Sequence, residues 1–117
     1  MISVTLRILA PSTTNLREHW AKRAKRAKGQ RLAARLALLP YARELRALAA
    51  LGGVIRAELV RVSPRTLDSD NLQGALKAVR DGVADALGLD DGSARYRWEY
   101  SQSKGQPSVL ITIAAQG

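Results

Sequence analysis

The sequence predicts an α+β fold: a single domain with a four-stranded mixed β-sheet and helices packed on it, in the order β-α-(α)-β-α-β-β. Three observations carry this. Alternating apolar and polar residues mark strands near both ends of the chain, and a β-branched segment, VIRAELVRV, lies in the middle. Between them lie a long Ala-, Leu-, Lys- and Arg-rich stretch and a second stretch whose apolar residues recur at helical spacing. The length of 117 residues suits one domain over 1–117, and no repeat or linker divides it.

In order, Ile2, Val4, Leu6 and Ile8 alternate with Ser3, Thr5 and Arg7, a half-buried strand ending before Pro11. Ser12, Thr13, Thr14 and Asn15 offer N-caps for a helix over 16–39. Gly29 weakens that helix locally by about 1 kcal/mol against Ala. Its first half is cationic and its second half turns apolar through Leu32, Leu36 and Leu39, so it should dock at one end and present a basic shaft at the other. Pro40 interrupts it before a short second helix over 41–50. Gly52-Gly53 turn the chain into a strand over 54–62, which Ser63-Pro64 ends. A helix over 71–87 places Leu72, Ala75, Leu76, Val79, Val83, Ala86 and Leu87 on one apolar face, with Gly88 as its C-cap. Tyr96, Trp98 and Tyr100 alternate with Arg97, Glu99 and Ser101 in a third strand. After a turn at Lys104-Gly105-Gln106-Pro107, Val109, Ile111 and Ile113 form a last strand, expected to lie antiparallel to the third as a hairpin.

Composition narrows the partners. A net charge of +9 points to nucleic acid, an anionic membrane or an acidic protein. No apolar run approaches the roughly 18 residues of a membrane span, so no membrane insertion is expected. The first residues lack a basic leader, so a secretory signal is not expected either. The absence of cysteine excludes disulfides and thiolate metal sites and is compatible with a reducing, cytoplasmic setting. With His19 as the one histidine, a metal site must be mainly carboxylate, which favours Mg²⁺, Mn²⁺ or Ca²⁺ over zinc.

Six of the ten acids fall in one stretch: Asp68, Asp70, Asp81, Asp85, Asp90 and Asp91. Carboxylates concentrated inside a cationic chain suggest a metal centre on a polyanion-binding surface. In an extended lead-in, Asp68 and Asp70 point the same way and can share one or two cations. The alternative is that Asp70 caps a helix starting at Asn71. Gly74, Lys77 and Asp81 follow Asp70 by four, seven and eleven residues on one helical face. Gly74 leaves a gap that a phosphate could occupy, where Lys77 would stabilise developing charge; the alternative for Lys77 is an ordinary ion pair with Asp81. Asp90-Asp91-Gly92 reads as a tight turn or as further ligands. A helix over 71–87 rises by about 25 Å, which places Asp90 and Asp91 too far from Asp68 and Asp70 to share a metal within one subunit. Two copies packed antiparallel about a two-fold axis would close the gap, giving a homodimer with two composite sites.

The basic stretch carries Arg17, Lys22, Arg23, Lys25, Arg26, Lys28 and Arg31 against Glu18 alone. It reads as a phosphate-contacting helix in preference to a solvated face or a membrane-surface helix, since only Leu16 and Trp20 are bulky and apolar in that half. His19 and Trp20 either meet nucleic acid or leave Trp20 packed on the sheet edge with His19 facing solvent. Tyr96, Trp98 and Tyr100 line a core or a dimer seam more readily than they stack bases.

Leu67-Asp68-Ser69-Asp70-Asn71-Leu72, Ala75-Leu76-Lys77, Asp81-Gly82 and Leu89-Asp90-Asp91 together resemble the RusA family of Holliday-junction resolvases. Pro11-Ser12 and His19-Trp20 with the basic helix resemble its phage members. The resemblance spans nearly the whole chain. It implies a homodimeric, Mg²⁺-dependent endonuclease, with Mn²⁺ as a possible substitute, that cuts branched DNA at four-way junctions in recombination and repair. Asp68, Asp70 and Asp91, with Asp90 beside it, would hold the metal, and Lys77 would match the catalytic lysine. Arg17, Lys22, Arg23, Lys25, Arg26 and Lys28, with His19 and Arg65, would contact DNA.

Overall fold

The most apolar alternation in the chain, Val109, Ile111 and Ile113, is fully buried and takes an interior position in the sheet. The computed structural model describes residues 1–12 and 19–116. Its elements are β1 (Ile2–Leu6), α1 (Trp20–Leu38), a 3-10 turn (Leu39–Tyr41), α2 (Ala42–Ala50), β2 (Ile55–Val62), α3 (Ser69–Leu87), β3 (Tyr96–Ser103) and β4 (Ser108–Ala115). The α+β class and element order are those read from the sequence. The sheet runs β1-β4-β2-β3, with β4 antiparallel to both β1 and β2, and β3 parallel to β2. No helix among the described residues is long and apolar enough to cross a membrane.

The expected β3–β4 hairpin is corrected. β2 lies between the two strands, with Val62 opposite Ser103 on one side and Ser108 on the other. Their connection instead arches over the end of β2, where the Gly105 N–H donates to the Ser63 carbonyl at 3.2 Å. A Cβ at Gly105 would stand 2.9 Å from Val62 Cγ1, so any side chain there must push that methyl aside. The charged β3 is left as an edge strand, where Arg97 and Glu99 resist further pairing.

The two long helices cover one face of the sheet. β1 ends at Leu6, and Ile8 packs beside the core after the strand has ended. The candidate caps Thr13, Thr14 and Asn15 lie outside the described residues, and α1 is capped by His19, whose Nδ1 accepts the Ala21 N–H at 3.1 Å. Pro40 sits in the 3-10 turn and kinks the chain into α2. The docking stripe of α1 is Gln30, Ala34 and Leu38; Leu32, Leu36 and Leu39, expected to dock, are 49, 59 and 65 % exposed. The rotation is set by Gly82 of α3. A Cβ there would meet the Arg31 carbonyl oxygen at 2.5 Å and Ala34 Cβ at 2.7 Å, so α1 presses directly on the α3 backbone. Arg31 locks the pair through a two-pronged bond to Asp85, at 2.6 and 2.7 Å. Gly82→Ala should destabilise the fold by about 1–3 kcal/mol despite alanine's better helix propensity, because the crossing is backbone against side chain and cannot give way cheaply. A urea titration checks this; a stabilised variant would mean that the helices separate freely.

Candidate functional site on α3

α3 begins two residues earlier than its spacing suggested, and this changes the role of its acids. Asp68 is the N-cap: its backbone is extended and its Oδ1 accepts the Asn71 N–H at 3.0 Å. Asp70, the alternative cap, lies in the first turn instead, exposed, where a negative charge suits the helix dipole. The two do not share an extended lead-in, so the period-two argument that pointed them the same way lapses. Gly88, with φ of 71°, ends the helix as expected.

The chain then folds back. Asp90 closes a turn, its Oδ1 accepting the Gly92 N–H at 3.1 Å. Asp91 returns along α3 to meet Lys77: Nζ donates to Asp91 Oδ2 at 2.6 Å and to Asp81 Oδ1 at 2.7 Å. Lys77 stands only about 10 Å along the helix from Asp70, at ~1.5 Å per residue. Asp91 therefore lies nearer Asp70 than the full rise of the helix suggested, while the expectation that they do not share a metal within one chain agrees with what the described residues show. The helical rise sets where Leu87 lies, and the loop beyond it turns back. Even so, among the described residues no group of three acidic or histidine side chains is close enough to hold a metal ion.

Three side chains hold the returning loop, and the sequence reading assigned none of them this task. Arg80 Nη2 donates to the Asp91 carbonyl at 2.9 Å, and Trp98 Nε1 donates to the same oxygen at 3.0 Å. Tyr96 Oη donates to the Leu89 carbonyl at 3.0 Å. The Arg80 guanidinium lies 4.7 Å over the Trp98 ring and also bonds Tyr100 Oη. Its Nε stands 3.2 Å from Asp91 Oδ2 without the alignment of a hydrogen bond. Tyr96 and Trp98 stack at 4.6 Å. The core reading of this aromatic row holds, with loop fastening added. A buried cation, Arg61, donates to the Ala10 carbonyl at 2.6 Å and the Arg65 carbonyl at 2.9 Å. It ties the segment before α1 to the segment before α3. Its sequence signal was parity: Arg61 shares the inward face of β2 with Ile55, Ala57 and Leu59.

The electrostatics follow these contacts. Lys77's hydrogen bond and the adjacent Arg80 hold the Asp91 carboxyl below its ordinary value of 3.8, while Asp81 and Asp91 raise Lys77. Burial pushes the Tyr96 phenol up to about 12, with Asp91 adding to the shift. A depressed carboxyl contributes stability above its ordinary pKa and loses it as pH falls through the folded value. The stability difference between wild type and Asp91→Asn should therefore be present at neutral pH, at most about 1 kcal/mol for so exposed a pair. It should vanish below the ordinary 3.8. Denaturant titrations across that range decide; a difference that persists in acid would mean that the asparagine side chain disturbs the loop and that the charge is not what stabilises it.

The basic helix lies beside this face. Lys22, Arg23, Lys25 and Lys28 are exposed on α1 and Arg26 is half-buried, with no acid between Trp20 and Lys28. Arg65 is exposed at the other end of the site, and Arg17 lies outside the described residues. Trp20, expected against the sheet edge, is instead 73 % exposed, with its ring 5.4 Å from that of His19. Two cavities open along the seam of α1 and α3. One, of about 270 Å³, is lined by Arg23, Arg26 and Lys77 against Asp81, with Gly74 at its wall. The other, of about 620 Å³, is lined by Asp81, Asp85, Asp90 and Asp91 against Arg31 and Arg35. The chain matches no family model and no curated protein.

Proposed function

We propose that the chain is a structure-selective DNA endonuclease that resolves four-way junctions by phosphodiester hydrolysis, a Mg²⁺-dependent enzyme of the RusA type acting as a homodimer in recombination and repair. The observation that supports this most is the return of Asp91 onto α3. It gathers Asp91 and Asp81 on Lys77, about two helical turns from Asp70, beside a helix whose exposed side chains are cationic. Lys77 would face the charge developing on a phosphate oxygen. Lys22, Arg23, Lys25, Arg26 and Lys28 would hold the DNA backbone, so affinity should fall steeply with salt.

The described residues of one chain alone do not fit a metal. Asp68 is engaged as a helix cap, and the Asp91 carboxylate is held by Lys77. The Mg²⁺ requirement therefore goes with a second copy that completes the carboxylate set. A second reading, a non-catalytic basic DNA- or RNA-binding protein, is favoured by one observation: Asp68, Asp81, Asp85 and Asp90 each have a structural task.

The two readings separate on a labelled synthetic four-way junction incubated with the wild type in Mg²⁺, Mn²⁺ or EDTA. Paired nicks that need the metal support the nuclease; binding without nicks in either metal leaves the second reading. Light scattering of the protein with and without junction should give a dimer, and a strict monomer would remove the composite site.

A further inference from the structure

We infer that the outward face of the C-terminal half of α1 is where a second copy of this chain docks, the two α1 helices pairing antiparallel about a two-fold axis at the level of Ala34. In supplying the partner of the composite site this rests on the reading above; as a pairing of two chains it rests on the face itself. Gly29, Leu32, Leu36 and Leu39 follow one another at steps of three, four and three residues, the spacing of a helix–helix seam. Leu39, where the 3-10 turn begins, keeps helical backbone angles and so stays in line. At about 100° per residue, this line falls on the side of α1 opposite the stripe of Gln30, Ala34 and Leu38 that docks on the sheet side. Its three leucines are therefore exposed, whereas α3 leaves no large apolar side chain exposed and offers no comparable seam.

The line is complementary to itself, which is what a two-fold contact needs. Paired antiparallel at Ala34, Leu32 of one copy faces Leu36 of the other, and Gly29 faces Leu39. The most exposed of the three leucines thus meets the one position on the line without a side chain. Within its own chain Gly29 has no such purpose: it lies inside a helix, its φ is not positive, and a Cβ there would meet nothing within 4 Å. Charge agrees with this occupant. A chain of net charge +9 repels its copy, but the line itself carries no charge, and the cations flanking it, Arg31 and Arg35, both turn to Asp85 at 2.6 and 3.9 Å. Antiparallel order also sends the two basic stretches over 22–28 to opposite ends, where parallel order would set them side by side. A cavity of about 300 Å³, with Leu38, Leu45 and Ala86 in its lining, opens beside the line and adds apolar surface for the second copy to cover. The leucines alone fall short of the roughly 800 Å² that each side of a stable dimer buries, so the pair should be weak and should dissociate on dilution.

The test uses the full chain without metal or DNA. Sedimentation equilibrium should show monomer passing to dimer as concentration rises, and Leu36→Glu and Gly29→Leu should each raise the dissociation constant tenfold or more. Both positions are exposed in the single chain, and thermal melts in dilute solution establish that the variants fold. Because the chain has no cysteine, introduced thiols report the register. Leu32→Cys mixed with Leu36→Cys should cross-link under mild oxidation faster than either variant alone. The inference is overturned by a chain that stays monomeric at millimolar concentration, by a dimer that both substitutions leave intact, or by cross-linking that is fastest within one variant on its own. Junction cutting is scored separately. A protein that pairs through this face and never cuts keeps the surface and loses the nuclease reading; one that cuts while failing these tests keeps the nuclease reading and loses this surface.

Discussion

On a four-way junction in Mg²⁺, Asp70→Asn should bind like wild type and cut at least about a hundredfold more slowly, the scale on which one charged or proton-transferring group contributes to a reaction. Asp70 is the cleanest probe on α3 because it has little structural work. It is exposed in the first turn and forms no ion pair with a described residue. Its stabilising role is limited to the helix dipole, about 0.3–1 kcal/mol, so the variant should remain folded. Asp68→Asn is the companion. Asparagine caps a helix as well as aspartate does, so the Asn71 N–H keeps its acceptor and only the charge is lost. Quantified nicking alongside gel-shift affinity reads both. If Asp70→Asn cuts at the wild-type rate, Asp70 has no part in the chemistry. If cutting and binding fall together, its role is in holding DNA.

Arg61→Met should cost about 2–5 kcal/mol, because two carbonyl acceptors lose their donor and each buried unsatisfied group costs about 1–3 kcal/mol. For a domain near this size that is a fall in Tm of roughly 10–25 °C. Arg61 is 5 % exposed, and burial lowers its pKa without a carboxylate beside it to oppose the shift. Its contacts are the Ala10 and Arg65 carbonyls, 51 and 4 residues away in sequence. Arg61→Lys should recover only part of the loss, since an ammonium cannot reproduce the Nε and Nη1 fork. Calorimetry separates the cases. A loss under about 1 kcal/mol for Arg61→Met would mean that water replaces the guanidinium at both carbonyls.

Much of the site was legible because its signals are local. Asp68, Asp70, Lys77 and Asp81 stand on or beside one helix, and helical spacing alone related the last three. The Lys77–Asp81 pair, offered as the ordinary alternative, is present. The cap was misplaced by two residues, because both Asp68 and Asp70 are good N-cap types and local sequence does not choose between them. The structure settles it by giving Asp68 the extended backbone. The basic helix was harder to orient. Its charges run all round it, and the stripe expected to dock, Leu32, Leu36 and Leu39, is exposed; Gly82 on another element decided which side faces inward.

By itself the sequence determined the α+β class, the order of elements, the glycine cap at Gly88 and the juxtaposition of an acidic motif with a cationic helix. Each of these depends on periodicity, turn chemistry or charge within a few residues. Only the tertiary structure decided that β4 lies between β1 and β2, that α1 turns Ala34 and Leu38 inward, and that Asp91 comes back to Lys77. These outcomes rest on contacts between residues far apart in the chain: Gly82 against Ala34, Arg80 and Trp98 on the Asp91 carbonyl, Arg61 between two loops. Such contacts leave no period in the sequence. A helix's length sets where its end lies, but the path of the loop beyond it is chosen by whichever buried donors capture its carbonyls.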